Sequence, residues 1–556
     1  MRDLLLSNGV FHTIDSSAPI ASAVAIRAGR FLHVGDRAGA LERLGGGRVD
    51  EIDLKGRCVL PGLIDAHLHL RWYAEALRSV DVETATLEEA VQRVGARAEA
   101  TAAGAWIQGS GWNHNVWGAG ALPDRGPLDR AAPRNPVALK AKSGHALWAN
   151  GLALKAAGIH SGTADPPGGK IVRGAAGEPT GMLLENAMDL VQAAIPTPTT
   201  EQMADALLDA QSALHRVGLV GAHDYDSSLV LAALELLESR GHLSLRVVKG
   251  IPHELLSHAI ALGLRTGFGG ERLTVGAVKL FADGALGPQT AWMLEPYESG
   301  GGAAGNQRFG GTAAGTSSAG GSLGIPTLTE DQMFEDARRA NAAGIACAIH
   351  AIGDGACRAV LNAFERASRE QRRSAAGPAA DLPLRNRMEH AQLVSSADLS
   401  RMARLGVIAS MQPIHATSDM LIADRYWGAR CAGAYAWRSL LQAGTTLAFG
   451  SDCPVERADP ILGIHAAVTR RRMDGTPGPE GWRPEQRLSV EQAVRAFTLG
   501  AAEAAGQEAT RGSIRAGKLA DLTVLQADVF SIDLHEIRNA GIAATIAGGR
   551  VVYGQL

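Results

Sequence analysis

No apolar run in this chain approaches the roughly 20 residues that a helix needs to cross a bilayer, so no membrane span is expected. Cysteine is scarce: Cys58, Cys347, Cys357, Cys431 and Cys453 are spread over 556 positions with no CxxC or CxxH spacing. An odd, dispersed set argues against a disulfide framework and fits reduced thiols in a cytoplasmic protein, where most would be small core residues. A charge excess is lacking as well. The 54 Lys and Arg nearly balance the 57 Asp and Glu, for a formal net charge of −3. That offers neither the basic footprint of a nucleic-acid binder nor a polybasic membrane surface. The apolar run in MRDLLLSNGVFHTID is too short for a secretory signal core, and no small-residue cleavage site follows it. What remains is an ordinary globular composition, 46% hydrophobic and 20% charged. A small molecule is the expected partner, and a homodimer is the default assembly.

Residues 1–57 read as short strands and turns, as in LLLSNGVFHTI and ASAVAIRAGRFLHVG, and the far end repeats that character in GKLADLTVLQAD and AATIAGGRVVYG. Two half-sheets at opposite chain ends can complete one small β-sandwich, because termini often lie close together. The expected composite β domain is 1–57 with 511–556. Between them, apolar or β-branched runs alternate with helical patterns. Eight strands are expected in RCVLPGLIDAH, LVGAHDY, LSLRVVKGI, LTVGAVKLF, GIACAIHAI, RNRMEHAQL, GVIASMQPI and TTLAFGSDC. Capping-box spacing starts helices at Thr329–Gln332 and Ser489–Gln492. The pattern predicts an α/β fold, a TIM-like (β/α)8 barrel over 58–510. Two segments exceed a minimal barrel: 71–200 reads as an inserted subdomain, and the Gly/Ala/Ser-rich stretch 298–325 as a lid or a linker.

In a strand, residues i and i+2 share a face. Asp65-Ala66-His67-Leu68-His69 therefore sets two imidazoles side by side at the carboxyl end of the first strand, which is where barrels collect catalytic groups. Four further residues obey the same rule: Lys279 in LTVGAVKLFADG, His350 in GIACAIHAIGDG, His390 in RNRMEHAQL and Asp452 in TTLAFGSDCPVE. Each alone has a plain alternative: an ion-paired lysine, a hydrogen-bonded core histidine, an aspartate capping the next helix. Together they put four histidines, a lysine and an aspartate at the ends of strands one, four, five, six and eight. A two-metal hydrolytic centre needs that set.

The motifs VLPGLIDAHLHL, VKLFADGALG, AIHAIGDGA, RMEHAQLV and LAFGSDCPVE, in that order, resemble the amidohydrolase superfamily. Within it they are most similar to the branch of N-substituted formamide deformylases and YtcJ-like amidohydrolases. The likeness covers nearly the whole chain, including the tail SVEQAVRAFTLGAAEAAG and GSIRAGKLADLTVL. It implies a metal-dependent hydrolase of amide-type C–N bonds in an N-substituted formamide, N-acyl amide, cyclic amide or carbamate. It further implies two divalent ions, zinc first, with manganese, iron, cobalt or nickel open. His67, His69 and Asp452 would hold one ion, His350 and His390 the other, and N-carboxylated Lys279 would bridge them. Metal-activated hydroxide would attack the carbonyl, with Asp452 as general base. The other readings are a single-metal centre that leaves Lys279 unused, a deaminase of a ring C–N bond, and a non-catalytic metal-binding barrel.

Within the insertion, GSGWNHNVWG and KSGHALWANGLAL resemble stretches that face the active site in this branch. The expected substrate contacts are His145 and Trp112, followed by Asp283 and His223. Against these stand plainer roles: tryptophans packing the insertion, Asp283 supporting the metal ligands, and local hydrogen bonding at His223.

Overall fold

Gly62 is where the chain leaves one sheet and enters another. In the computed structural model, which describes residues 3–45, 48–114, 116–117, 122–298, 321–374 and 384–556, Cys58–Pro61 and Leu63–Leu68 are separate strands on either side of it. A Cβ at Gly62 would stand 2.4 Å from Val220 Cγ2, so any side chain there must displace Val220. Replacing Gly62 with alanine is expected to destabilise the protein by about 1–3 kcal/mol through overpacking, read as a lower urea midpoint. An unchanged midpoint would mean that the sheets can separate at this point.

Leu63–Leu68 is β1 of an eight-stranded parallel sheet. The others are β2 (Leu219–Asp224), β3 (Arg246–Pro252), β4 (Leu273–Phe281), β5 (Cys347–Ala351), β6 (Arg387–His390), β7 (Ile408–Met411) and β8 (Leu447–Phe449). They lie side by side in chain order, each overlapping one of the eight runs read from the sequence. Every residue of β1 and β2 is buried, as expected where a sheet is covered on both faces and its strands read as continuous apolar runs. Beyond the strand ends, the first and last strands are tied together. Asp452 N–H donates to the His67 carbonyl at 2.7 Å, and His69 N–H donates to that of Cys453 at 2.8 Å. Asp65 completes the seam: its carboxylate accepts from Ser451 Oγ at 2.6 Å and from Ser451 N–H at 3.0 Å. Both expected capping boxes are formed, at Thr329/Gln332 and Ser489/Gln492.

Both chain ends contribute to the small β domain. A four-stranded sheet orders Arg30–Gly35, Ala23–Arg27, Asp3–Ser7 and Val49–Asp53. A six-stranded sheet orders Arg550–Gly554, Ile542–Ala547, Leu522–Leu525, Cys58–Pro61, Val10–His12 and Ile20–Ala21. Leu6, Val24 and Phe31 from the first share one core with Phe11, Val59, Leu522 and Ile546 from the second. Cys58–Pro61 thus lies in the β domain, beyond the 57/58 junction expected from the sequence. The buried pair Arg246–Asp521, with bonds of 2.7 and 2.9 Å, joins this domain to β3.

The described residues fall into two compact units, one from 3–73, 203–298 and 321–556 and the other from 74–202. The second unit, set against an expected insertion of 71–200, carries its own six-stranded sheet, which includes Ile107–Trp112, Val137–Ala141 and Ala146–Ala149. Of the stretch 298–325, residues 299–320 lie outside the described residues, so the lid-or-linker reading is not addressed. All five cysteines are free and buried. No helix among the described residues is long and apolar enough to cross a membrane.

Candidate metal centre

His67, His69, Lys279, His350, His390 and Asp452 come together at the carboxyl end of the barrel. Lys279 Nζ lies 3.4 Å from His67 Nε2. Asp452 Oδ1 lies 3.3 Å from His69 Nε2 and 3.6 Å from His67 Nε2. The imidazole centroids of His67 and His390 are 4.8 Å apart, and those of His350 and His390 are 4.5 Å apart. Donor atoms of His67, His69 and Asp452 all lie within 4.8 Å of one another. Two of the six have strained backbones, His390 at φ 70° and Asp452 at φ 59°. A left-handed conformation costs a residue with a side chain of the order of 1–3 kcal/mol and tends to persist where function requires it.

Three of the four imidazoles have an acceptor for one of their nitrogens. His67 Nδ1 bonds Glu389 Oε2 at 2.6 Å, His390 Nδ1 bonds Gln412 Oε1 at 2.9 Å, and His350 Nε2 donates to the Gly284 carbonyl at 2.9 Å. His69 Nδ1 is 3.4 Å from Asp226 Oδ1. Fixing the proton on one nitrogen leaves the lone pair of the other for a metal, the outer-shell arrangement usual for ligating histidines. Burial pushes His67 down to about 4, His350 to about 3 and His390 well below its ordinary value, with the Lys279 charge adding to each shift. Burial also lowers Lys279 to about 8, against the opposing pull of Glu389 and Asp452. At His69 burial disfavours the charged form, but bonding to Asp226 and Asp452 outweighs it and raises the group to about 9. Burial would raise Asp452; His415 and His69 hold it far below the usual carboxylate range instead. Imidazole nitrogens, three of them held neutral by burial, around a persistent carboxylate are a donor set that fits divalent zinc-class ions.

His415 was not anticipated from the sequence. It sits on Pro413–Trp427, the helix that follows β7, and its Nε2 is 3.2 Å from Asp452 Oδ2. The strand-end rule extends to it, because QPIH follows β7 directly. Glu389 and Arg387 were missed too. Fully buried Arg387 pairs with Glu389, and its guanidinium reaches His223 Nδ1 at 2.8 Å, Ser410 Oγ at 2.6 Å and the Ala66 carbonyl at 2.6 Å.

The four expected substrate contacts have the following surroundings. Asp283 is buried, and its carboxylate accepts from the backbone N–H groups of Trp292, Ile352 and Gly353 at 2.9–3.0 Å. It also lies 3.5 Å from His350 Nε2, so it braces the loop that carries that ligand. His223 is 1% exposed, against Arg387. In the second unit, Trp112 is 1% exposed; its indole N–H donates to the Leu139 carbonyl at 2.8 Å, and the ring packs near Trp117 and Trp148. That is a packing role, since burial leaves the ring no free face. Asn150 caps the helix Gly151–Ala156. His145, half-exposed, bonds Glu185 at 3.0 Å.

Comparison with known proteins agrees with this architecture. The model of the amidohydrolase family matches residues 50–553. The chain is 32% identical to the putative amidohydrolase YtcJ of Bacillus subtilis (strain 168) over 98% of both chains. It is 30% identical to an N-substituted formamide deformylase of Arthrobacter pascens, over 100% of this chain and 98% of that protein. Among solved structures, an uncharacterized metal-dependent hydrolase from Pyrococcus furiosus superimposes with a TM-score of 0.76 at 29% identity, covering 95% of this chain and 100% of the other. With the family model spanning nearly the whole length and relatives matched end to end, the chain belongs to the amidohydrolase family and is a metal-dependent hydrolase.

Proposed function

We propose that this enzyme hydrolyses an amide-type C–N bond, an N-substituted formamide first among the candidates, at a binuclear centre. His67, His69 and Asp452 would hold one divalent ion and His350 and His390 a second, with Lys279, N-carboxylated, as a further ligand. The observation that carries this reading is the convergence of these donors, including a buried lysine, at one end of the barrel. When bound, the two ions polarise the scissile carbonyl and make hydroxide available near neutral pH.

The side chains do the rest. A lysine cation would repel a divalent ion, whereas burial at Lys279 favours the neutral amine. That amine would add CO2 and release one proton, giving an anionic carbamate whose oxygens could serve as metal ligands. Asp452 divides its labour between its two oxygens. Oδ1 faces the imidazoles of His67 and His69, while Oδ2 faces His415. It takes the proton of the attacking water and passes it to the leaving amine. Glu389, held by Arg387, keeps His67 in the tautomer that presents Nε2. Asp283 and His223 support the ligands from behind.

The direct test is a panel of N-formyl, N-acetyl and cyclic amides and carbamates, assayed with metal-loaded and chelator-treated enzyme. Metal-dependent release of amine and carboxylate is expected. Ammonia released only from ring substrates would replace this reading with a deaminase. Substituting Lys279 with alanine is expected to remove bound metal and lower kcat/KM by at least ~100-fold, since outer-shell partners alone contribute roughly 10–100-fold. Metal analysis with unchanged content and activity in Lys279→Ala would eliminate the ligand role.

A further inference from the structure

Away from the barrel centre, His12, Cys58 and Asp528 bring three different metal-binding side chains together. Their donor atoms all lie within 4.8 Å of one another, and none of them takes part in the hydrolytic chemistry. They come from three parts of the chain. His12 ends the strand Val10–His12, Cys58 starts Cys58–Pro61, and Asp528 follows Leu522–Leu525. The six-stranded sheet brings these strands together, with Cys58 opposite Val10 on one side and Leu525 on the other.

We infer that His12, Cys58 and Asp528 form a second metal site, in the β domain, that takes a zinc-class divalent cation through one nitrogen, one sulfur and one oxygen. A tetrahedral ion with ligand distances of about 2.0–2.3 Å needs donor atoms roughly 3.3–3.8 Å apart, so a small contraction of the observed cluster is enough. His12 Nε2 already lies 3.1 Å from Asp528 Oδ1. The His12 ring is held in plane by stacking on Phe530, with centroids 3.7 Å apart and an interplanar angle of 11°. Asp528 Oδ1 also accepts from Phe530 N–H at 3.0 Å, which orients the carboxylate. His12 and Phe530 line a cleft of about 580 Å³, which brings one of the three ligands to its wall.

The charges are compatible. Without a cation, burial and the Asp528 carboxylate keep the Cys58 thiol protonated. A divalent ion displaces that proton to solvent, forming a metal–sulfur bond, and thiolate with carboxylate then neutralises the ion. Mixed sulfur, nitrogen and oxygen donors favour zinc or cobalt over magnesium or calcium. Binding would link the N-terminal strands, the strand entering the barrel and the C-terminal strands.

Cobalt separates this site from the barrel centre, because a cobalt–thiolate bond gives a near-ultraviolet charge-transfer band and the barrel ligands include no sulfur. Chelator-stripped full-length protein, titrated with Co2+, is expected to develop that band and to bind one equivalent more than Cys58→Ser, which should lack it. Cys453 neighbours Asp452, so Cys453→Ser is the control and is expected to keep the band. His12→Gln, at a side chain 12% exposed, leaves the thiol in place and is expected to weaken binding at this site by at least tenfold. A cobalt-loaded wild type with no thiolate band would overturn the proposal. So would a band that survives Cys58→Ser, or undiminished affinity in His12→Gln.

Discussion

Replacing Asp452 with asparagine is expected to lower kcat by about 10²–10⁴-fold, the range in which a positioned general acid–base group contributes. The amide keeps an oxygen for the ion but loses the capacity to accept a proton, so kcat should fall far more than KM rises. The environment of Asp452 makes the effect large. Its two oxygens have separate partners, His69 and His67 on one side and His415 on the other, at 3.2–3.6 Å. No second carboxylate lies so close to both sets among the described residues. Replacing His415 with glutamine should lower kcat less, because it only holds Oδ2 in place. Steady-state kinetics with matched metal content checks both; a kcat for Asp452→Asn equal to wild type would remove this residue from the proton path.

Replacing Arg387 with methionine is expected to cost about 3–5 kcal/mol of stability, as breaking one side of a buried ion pair generally does. The guanidinium is 2% exposed and Glu389 is fully buried. Removing the cation leaves that carboxylate uncompensated and strips bonds from Ser410, His223 and the Ala66 carbonyl. Glu389 also accepts from His67, so metal content should fall along with the urea midpoint. Adding Glu389→Gln should recover part of the stability but not the metal, because the charge imbalance is relieved while the brace on His67 stays weakened. A single variant as stable as wild type would show that the network contributes no net stability.

Much of the site was legible in advance because a parallel barrel imposes a simple rule. Its strands are buried on both faces and so read as apolar runs, against which polar residues near their ends stand out; any one of them has a plain alternative, and the set of six is what points to chemistry. His67, His69, Lys279, His350, His390 and Asp452 all stand near the carboxyl end of a strand, just before or just beyond it. His415 escaped notice because it is on a helix, one step past its strand, where a histidine reads as ordinary. Glu389 and Arg387 escaped because alternation along β6 places them beside His390 without saying what they face. Trp112 had two readings from its sequence, a ligand contact or packing, and its surroundings are a hydrophobic core.

Periodicity and spacing pointed to the eight strands, the capped helices and the candidate residues near strand ends, and the family resemblance added the barrel's ligand set. The strands and capped helices depend on local alternation, burial and capping, each of which leaves a mark within a few residues. Only the tertiary structure decided which side chains support the ligands and which merely pack. It paired His67 with Glu389 across 322 positions and set His415 against Asp452. It also gathered His12, Cys58 and Asp528 from opposite ends of the chain. Such pairings are set by sheet order and strand register, and side chains so far apart in sequence carry no local sign of each other.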